Sequence, residues 1–278
     1  MKIDNPILKP VAKFSIEITT KIGCPINCLK YCPQEVLLKK YGTNKRMLDL
    51  HDFTKILSKI PVHVEIDFSG FCEPFANPKC LEMIELAFKR GYTVNLYTTL
   101  FGASKTDVEQ LFKYRFKTFC LHLPDGEVMA FPSDPEYKSN VHAVLHNVKN
   151  VKTLSMTKQF KSNNRENTAR EIDVTPKKFV FCYKFSNPAP VLLPNGDVYL
   201  CCNDFGLRHK IGNLLAPDCD YNTIVAKIKA GRGQFNLCNL CSSNTSIMNH
   251  YYHVGREQVR TSLSYFLNWK RQVGLPQK

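Results

Sequence analysis

Cys24-Pro25-Ile26-Asn27-Cys28-Leu29-Lys30-Tyr31-Cys32 places three cysteines in nine residues, directly after a β-like run. Thiolates are soft ligands that suit zinc or iron–sulfur clusters. A 4Fe-4S cluster held by three cysteines instead of four leaves one iron without a protein ligand and open to a small molecule. The competing readings are a structural zinc loop, although such sites show cysteine pairs more often than triplets, and cysteines that only pack.

Working outward, Phe14 to Thr20 alternates Phe14, Ile16 and Ile18 with Ser15, Glu17 and Thr19, the period of a strand. Leu50, Phe53, Ile56, Leu57 and Ile60 recur at helical spacing, with Pro61 as the stop. Val62 to Ser69 alternates again. Asn77-Pro78 predicts a capped helix running to Gly91. Strands are expected at Thr93 to Thr99, Thr118 to Leu123 and Val151 to Thr157. Helices are expected from Ser104 with Asp107 and from Asp134-Pro135 to about Val148. Strand and helix alternate, which indicates a parallel β/α topology. One face of nearly every strand is Ser, Thr, His, Glu, Asp or Asn, unlike the branched apolar interior of a closed eight-stranded barrel. That pattern fits an open barrel with a polar ligand in its lumen.

The C-x3-C-x3-C loop with an aromatic residue before its third cysteine resembles the cluster motif of the radical S-adenosylmethionine (SAM) enzymes, one residue wider than the commonest C-x3-C-x2-C. The resemblance implies a partial (β/α)6 barrel in an α/β chain. It also implies a 4Fe-4S cluster on Cys24, Cys28 and Cys32, and SAM chelated to the open iron and split to a 5′-deoxyadenosyl radical that abstracts hydrogen. Ser69-Gly70-Phe71-Cys72-Glu73-Pro74 resembles the family's Gly-Gly-Glu-Pro segment, with Cys72 where a second Gly is usual. By that resemblance Tyr31, Ser69, Gly70 and Glu73 contact SAM, and Thr98 and Thr99 offer polar groups at the next strand end. Cys72, Cys80 and Cys120 read as packed thiols. His122 and Asp125, near the end of the fourth strand, are candidates for proton transfer to or from substrate.

Beyond a polar connector or lid at Lys158 to Arg170, Cys182 precedes an Asn195-Gly196 hairpin that Cys201 ends, and Cys238-x2-Cys241 follows a helix expected at Tyr221 to Lys229. Coordination logic alone allows a four-thiolate zinc site. The pattern resembles more closely the SPASM/Twitch domains appended to radical SAM barrels. It implies a small C-terminal Twitch-like β-hairpin and helix domain with one auxiliary 4Fe-4S cluster on Cys182, Cys201, Cys238 and Cys241. Cys202 and Cys219 are left as substitute ligands. The expected domains are residues 1–175 and 176–278, the second ending in a docking helix that carries Val259, Leu263, Phe266 and Leu267.

Twelve cysteines without a visible export signal favour metal binding in a reducing compartment over a disulfide framework. No stretch has membrane-spanning length, and a cytoplasmic protein is expected. Two clusters of roughly −1 and −2 lower the formal charge of +14 to about +11. That balance suits an anionic substrate or a nucleic acid, although solvated lysine surfaces produce it as well.

The expected activity is that of a radical SAM oxidoreductase or lyase. It would abstract hydrogen from a carbohydrate-like or nucleotide-linked small molecule, with electrons from a flavodoxin or ferredoxin, as in the Twitch dehydrogenases of aminocyclitols. Peptide or nucleoside modification is the enzymatic alternative. A non-catalytic zinc protein binding nucleic acid is the alternative from another class.

Overall fold

The structure is a computed structural model and describes residues 14–155 and 182–241, apart from 27, 29–31, 125–130, 132–133, 183, 185–186 and 232–233. Tyr31, Asp125, the Lys158 to Arg170 connector and the expected C-terminal helix therefore lie outside the described residues.

Five strands alternate with helices: β1 (Ser15–Ile18), α1 (Gln34–Tyr41), α2 (Leu50–Leu57), β2 (Glu65–Phe68), α3 (Cys80–Lys89), β3 (Val94–Thr98), α4 (Lys105–Leu111), β4 (Thr118–Leu123), α5 (Pro135–Asn147) and β5 (Val151–Ser155). The second part adds β6 (Val191–Leu192), β7 (Asp197–Tyr199), β8 (Lys210–Asn213), α6 (Tyr221–Ala230) and α7 (Asn236–Leu240). All eight strands form one sheet in the order β5-β4-β3-β2-β1-β6-β7-β8. Strands β1 to β5 are parallel to their neighbours, β6 joins β1 in parallel, and β6-β7-β8 is an antiparallel meander. This is a mixed α/β architecture with a mostly parallel sheet, as the alternation of strand and helix implied.

The strand periodicity sorts the two faces. Ile16, Ile18, Ile66, Phe68, Val94, Leu96, Phe119 and Leu121 are buried in one apolar core with Phe53, Ile56 and Leu57 of α2 and Met83, Ile84 and Ala87 of α3. Each such side chain withdrawn from water contributes about 1.5–3 kcal/mol. The opposite face carries Ser15, Glu17, Glu65, Asp67, Asn95 and Thr118 in register across β1 to β4.

Helix starts follow the local chemistry. Ser104 and Asp107 form a reciprocal capping box, and Asp134 accepts from the Tyr137 amide with Pro135 at the first position. The Asn77-Pro78 expectation is corrected. A 3-10 turn occupies Pro74–Ala76, and α3 begins at Cys80. Asn77 is fully buried and does two things: its Oδ1 accepts from the Lys79 amide at 2.9 Å in the turn that leads into α3, and its Nδ2 donates to the carbonyls of Thr20 and Leu48 at 2.9 and 2.8 Å. β2 likewise begins at Glu65 instead of Val62, which is 55% exposed, because a turn closes from the Val64 amide to the Pro61 carbonyl. Among the described residues no helix is long and apolar enough to cross a membrane.

Candidate functional site

The cysteine loop leaves the C-terminal end of β1 and is anchored to the segment before α2 through the Ile22 amide on the Arg46 carbonyl and the Leu48 amide on that of Thr20. The Cys32 amide donates to the Cys28 carbonyl at 2.9 Å, just ahead of α1. Cys24, Cys28 and Cys32 pack together with Ile26, Phe101 and Phe131. Among the described residues no three His, Cys, Asp or Glu side chains converge as the ligands of one ion do. Three thiols on one loop with an apolar lining are the donor set that a three-cysteine cluster would use.

The Cys24 thiol is held below its ordinary pKa. Hydrogen bonding from Cys72 pulls its pKa below the usual thiol value, burial opposes this, and the backbone amides of Glu73 and Ile26 add to the lowering. Hydrogen bonding to Cys24, together with burial, pushes Cys72 up.

The loop after β2 faces the cysteine loop. Gly70 has φ +86°, and a Cβ there would sit 2.3 Å from Thr19 Oγ1, so no side chain fits without moving the loop. Thr19 Oγ1 accepts from the Phe71 amide at 3.1 Å. Ser69 Oγ lies 3.4 Å from Glu17 Oε2.

Glu73, Thr98 and Thr99, named from the resemblance as contacts of SAM, bind one another here. Glu73 Oε1 accepts from Thr98 Oγ1 and from the Phe75 amide. Its Oε2 accepts from the Thr99 amide at 2.7 Å and Thr99 Oγ1 at 2.8 Å. Four donors fill the four acceptor positions of a carboxylate. Glu73 thus staples the end of β2 to the end of β3. Burial raises its pKa and these bonds oppose the rise.

A residue that the sequence reading passed over joins the two loops. Gln34, buried at the start of α1, accepts from the Cys24 amide at 3.5 Å and donates to the Phe71 carbonyl at 2.7 Å. Its sequence signal was only its place just after the third cysteine, and nothing local marks a side-chain amide as a buckle.

Below this rim the polar face is acidic. Asn95 Nδ2 donates to Glu65 Oε2 at 2.8 Å and Asp67 Oδ1 at 2.6 Å, while its own Oδ1 is buried and has no partner among the described residues. Burial pushes Asp67 up to about 6, with the Asn95 hydrogen bond opposing and the Glu17 charge adding to the rise. Lys117 pairs with Glu65.

The second cysteine group forms at the far side of β1. Cys241 and Cys202 lie near enough for their charges to act on both Cys182 and Cys201, whose thiols burial raises above the usual value. Asn203 Nδ2 donates to Cys241 Sγ at 3.1 Å. Lys184 Nζ bridges Cys202 Sγ at 3.4 Å and Glu17 Oε1 at 3.2 Å, so one cation joins this group to the barrel lumen. Cys238 is buried in α7. Of the two spare cysteines, Cys202 stands with the group. Cys219 is lodged against Gly212, with its Sγ 4.0 Å from the Asp220 carbonyl.

No protein-family model matches the sequence, and no curated protein matches it. The fold does have relatives among solved structures. A crystal structure of BtrN in complex with AdoMet and 2-DOIA superposes with a TM-score of 0.65 at 17% identity, over 82% of this chain and 92% of that one. An open conformation of BtrN superposes with a TM-score of 0.55 at 15% identity, over 86% of this chain and 95% of that one. With the site geometry already described, these likenesses identify the fold of the chain as the radical SAM partial barrel.

Proposed function

We propose that this chain is a radical SAM enzyme that abstracts hydrogen from a polar small molecule held in the barrel lumen. The observation that carries the reading is the gathering of Cys24, Cys28 and Cys32 at the C-terminal end of β1, against the Gly70 to Glu73 loop, in a radical SAM barrel fold. Cys24, Cys28 and Cys32 would hold a 4Fe-4S cluster, which would supply the electron for reductive cleavage of SAM. The chain's own residues position the reactants. Gly70 keeps its loop close to Thr19, Glu73 fixes the ends of β2 and β3 to each other, and Phe101 and Phe131 keep water from the cysteine loop. Electrons come from a flavodoxin or ferredoxin. Cys182, Cys201, Cys238 and Cys241, with Cys202 as reserve, would hold an auxiliary 4Fe-4S cluster, which would supply a one-electron acceptor or an anchor for the substrate.

The lumen argues for a carbohydrate-like substrate with hydroxyl or amino groups. Glu17 and Asp67 face each other in register between β1 and β2, and an anionic nucleotide placed there would meet like charge. A structural relative of this fold holds AdoMet and 2-DOIA, which supports the pairing of SAM with a small polar molecule.

The test is iron content and EPR after anaerobic reconstitution and reduction, with and without SAM, in wild type and in the triple variant Cys24→Ala, Cys28→Ala, Cys32→Ala. About eight irons falling to about four in the variant, with a spectrum that SAM perturbs only in wild type, is the expected result. Release of 5′-deoxyadenosine in a panel of glucosamine, glucose and glucose 6-phosphate then ranks the substrate charge class. Zinc in place of iron, or a cluster indifferent to SAM, overturns the reading.

A further inference from the structure

Two lysines serve three carboxylates on the lumen face. Lys184 pairs with Glu17 at 3.2 Å, and Lys117 pairs with Glu65. Asp67 has no cation beside it among the described residues. Its Oδ1 accepts from Asn95 Nδ2 at 2.6 Å, a neutral donor that it shares with Glu65. A carboxylate that is only 9% exposed and lacks a counter-ion is costly to ionise. One negative charge of the lumen is thus left for a ligand to neutralise. A second group lacks a partner, independently of the charge count. Asn95 is 1% exposed and stands in register with Asp67 on the lumen face of β3. Its Nδ2 is turned to the carboxylates of β2, which leaves Oδ1 on the side of β4, buried and without a hydrogen bond among the described residues. Buried amide oxygens are rarely left so.

We infer that the lumen seats a primary ammonium group of the substrate on Asp67, with Asn95 Oδ1 as its second acceptor. The inference deepens the radical SAM reading, on which it rests, by giving the substrate a positive charge. Asp67 calls for a cation and Asn95 Oδ1 for a donor, and a protonated primary amine supplies both, with three N–H donors around one charge. A hydroxyl would satisfy Asn95 but leave the Asp67 charge uncompensated. A metal ion fits less well, since among the described residues no three His, Cys, Asp or Glu side chains converge. The place of the seat suits a reacting molecule. Asp67 is in register with Glu17 and two residues before Ser69, whose Oγ lies 3.4 Å from Glu17 Oε2. A small molecule held there by its amine directs its carbon skeleton toward the strand ends, where the cysteine loop leaves β1. The same charge selects against phosphorylated and carboxylated molecules.

The test is thermal unfolding of the full chain, reconstituted anaerobically, with SAM present and at constant ionic strength. Methylammonium and glucosamine are titrated against their neutral counterparts, methanol and glucose. A molecule that binds the folded state raises the midpoint by mass action. In wild type the amines should act at concentrations about tenfold or more below those of the neutral molecules, as a hydrogen bond to a charged group implies. In Asp67→Asn that advantage should fall below about threefold. Glu82→Gln removes the same charge from an exposed pair with Lys79 and should keep the advantage. Equal action of amines and neutral molecules in wild type overturns the inference. So does an advantage that survives Asp67→Asn, or one that Glu82→Gln abolishes as well. EPR of the same samples with and without SAM separates the two readings. A signal that SAM perturbs, with no amine advantage, sinks the ammonium seat alone. A cluster indifferent to SAM sinks the functional reading, and the inference falls with it.

Discussion

Replacing Asp67 with asparagine should stabilise the protein, and by an amount that grows with pH. Asp67 is buried on the lumen face, with its Oδ1 2.6 Å from Asn95 Nδ2 and the carboxylates of Glu17 and Glu65 nearby. Burial outweighs the Asn95 bond, and the folded pKa is pushed from 3.8 up to about 6. A carboxyl group raised on folding binds more protons folded than unfolded between these values. Its favourable contribution is fully present below pH 3.8 and is lost as pH rises through about 6. The complete loss amounts to about 3 kcal/mol, of which roughly 1.5 kcal/mol develops between pH 5 and 8. The substituted amide would keep an acceptor for Asn95 and never ionise. The stability difference between Asp67→Asn and wild type, measured by urea unfolding of anaerobically purified protein at several pH values, should therefore widen by about that amount from pH 5 to pH 8. A constant difference, or one that narrows with pH, refutes the argument that burial dominates at this site.

Gly70→Ala should lower stability by about 3 kcal/mol or more, from left-handed backbone strain and the collision of the new Cβ with Thr19 Oγ1. Thr19→Ala added to it should return part of that loss, and a strictly additive double variant in thermal unfolding would contradict the contact. Glu73→Ala should cost about 2–6 kcal/mol, because it orphans the buried amides of Phe75 and Thr99. Glu73→Gln, which keeps an oxygen but brings its own N–H donors toward Thr98 and Thr99, should lie between it and wild type in the same assay.

The strand and helix alternation, the cysteine loop and the capping box at Ser104 were legible because each is a local pattern: a period, a ligand spacing, a side chain three residues from its partner. What escaped was set by distant partners. Asn77 looks like a helix cap in isolation, but 57 and 29 residues separate it from the two carbonyls it satisfies. Gln34 meets Phe71 across 37 residues, which no local pattern signals. The choice between Cys202 and Cys219 as neighbours of the second cysteine group needed the fold, since spacing treats them alike and only the packing of Cys219 against Gly212 separates them. The polar strand faces were readable, but not the role of Glu73, whose four acceptor positions are filled by the protein itself.

Strand β1 completes its hydrogen bonding only with residues made much later. The Glu17 amide donates to the Pro190 carbonyl and the Thr19 amide to that of Leu192, both at 2.9 Å, so one edge of β1 stays bare until the chain has been synthesised past residue 192. A nascent chain that ends at β5 already has the material for a five-stranded sheet, yet it presents an unpaired parallel edge open to aggregation. Closing a loop of that length makes the joining of β6 to β1 a slow, late step. Ribosome-bound chains released after residue 155 should therefore recruit chaperones that chains released after residue 241 do not need.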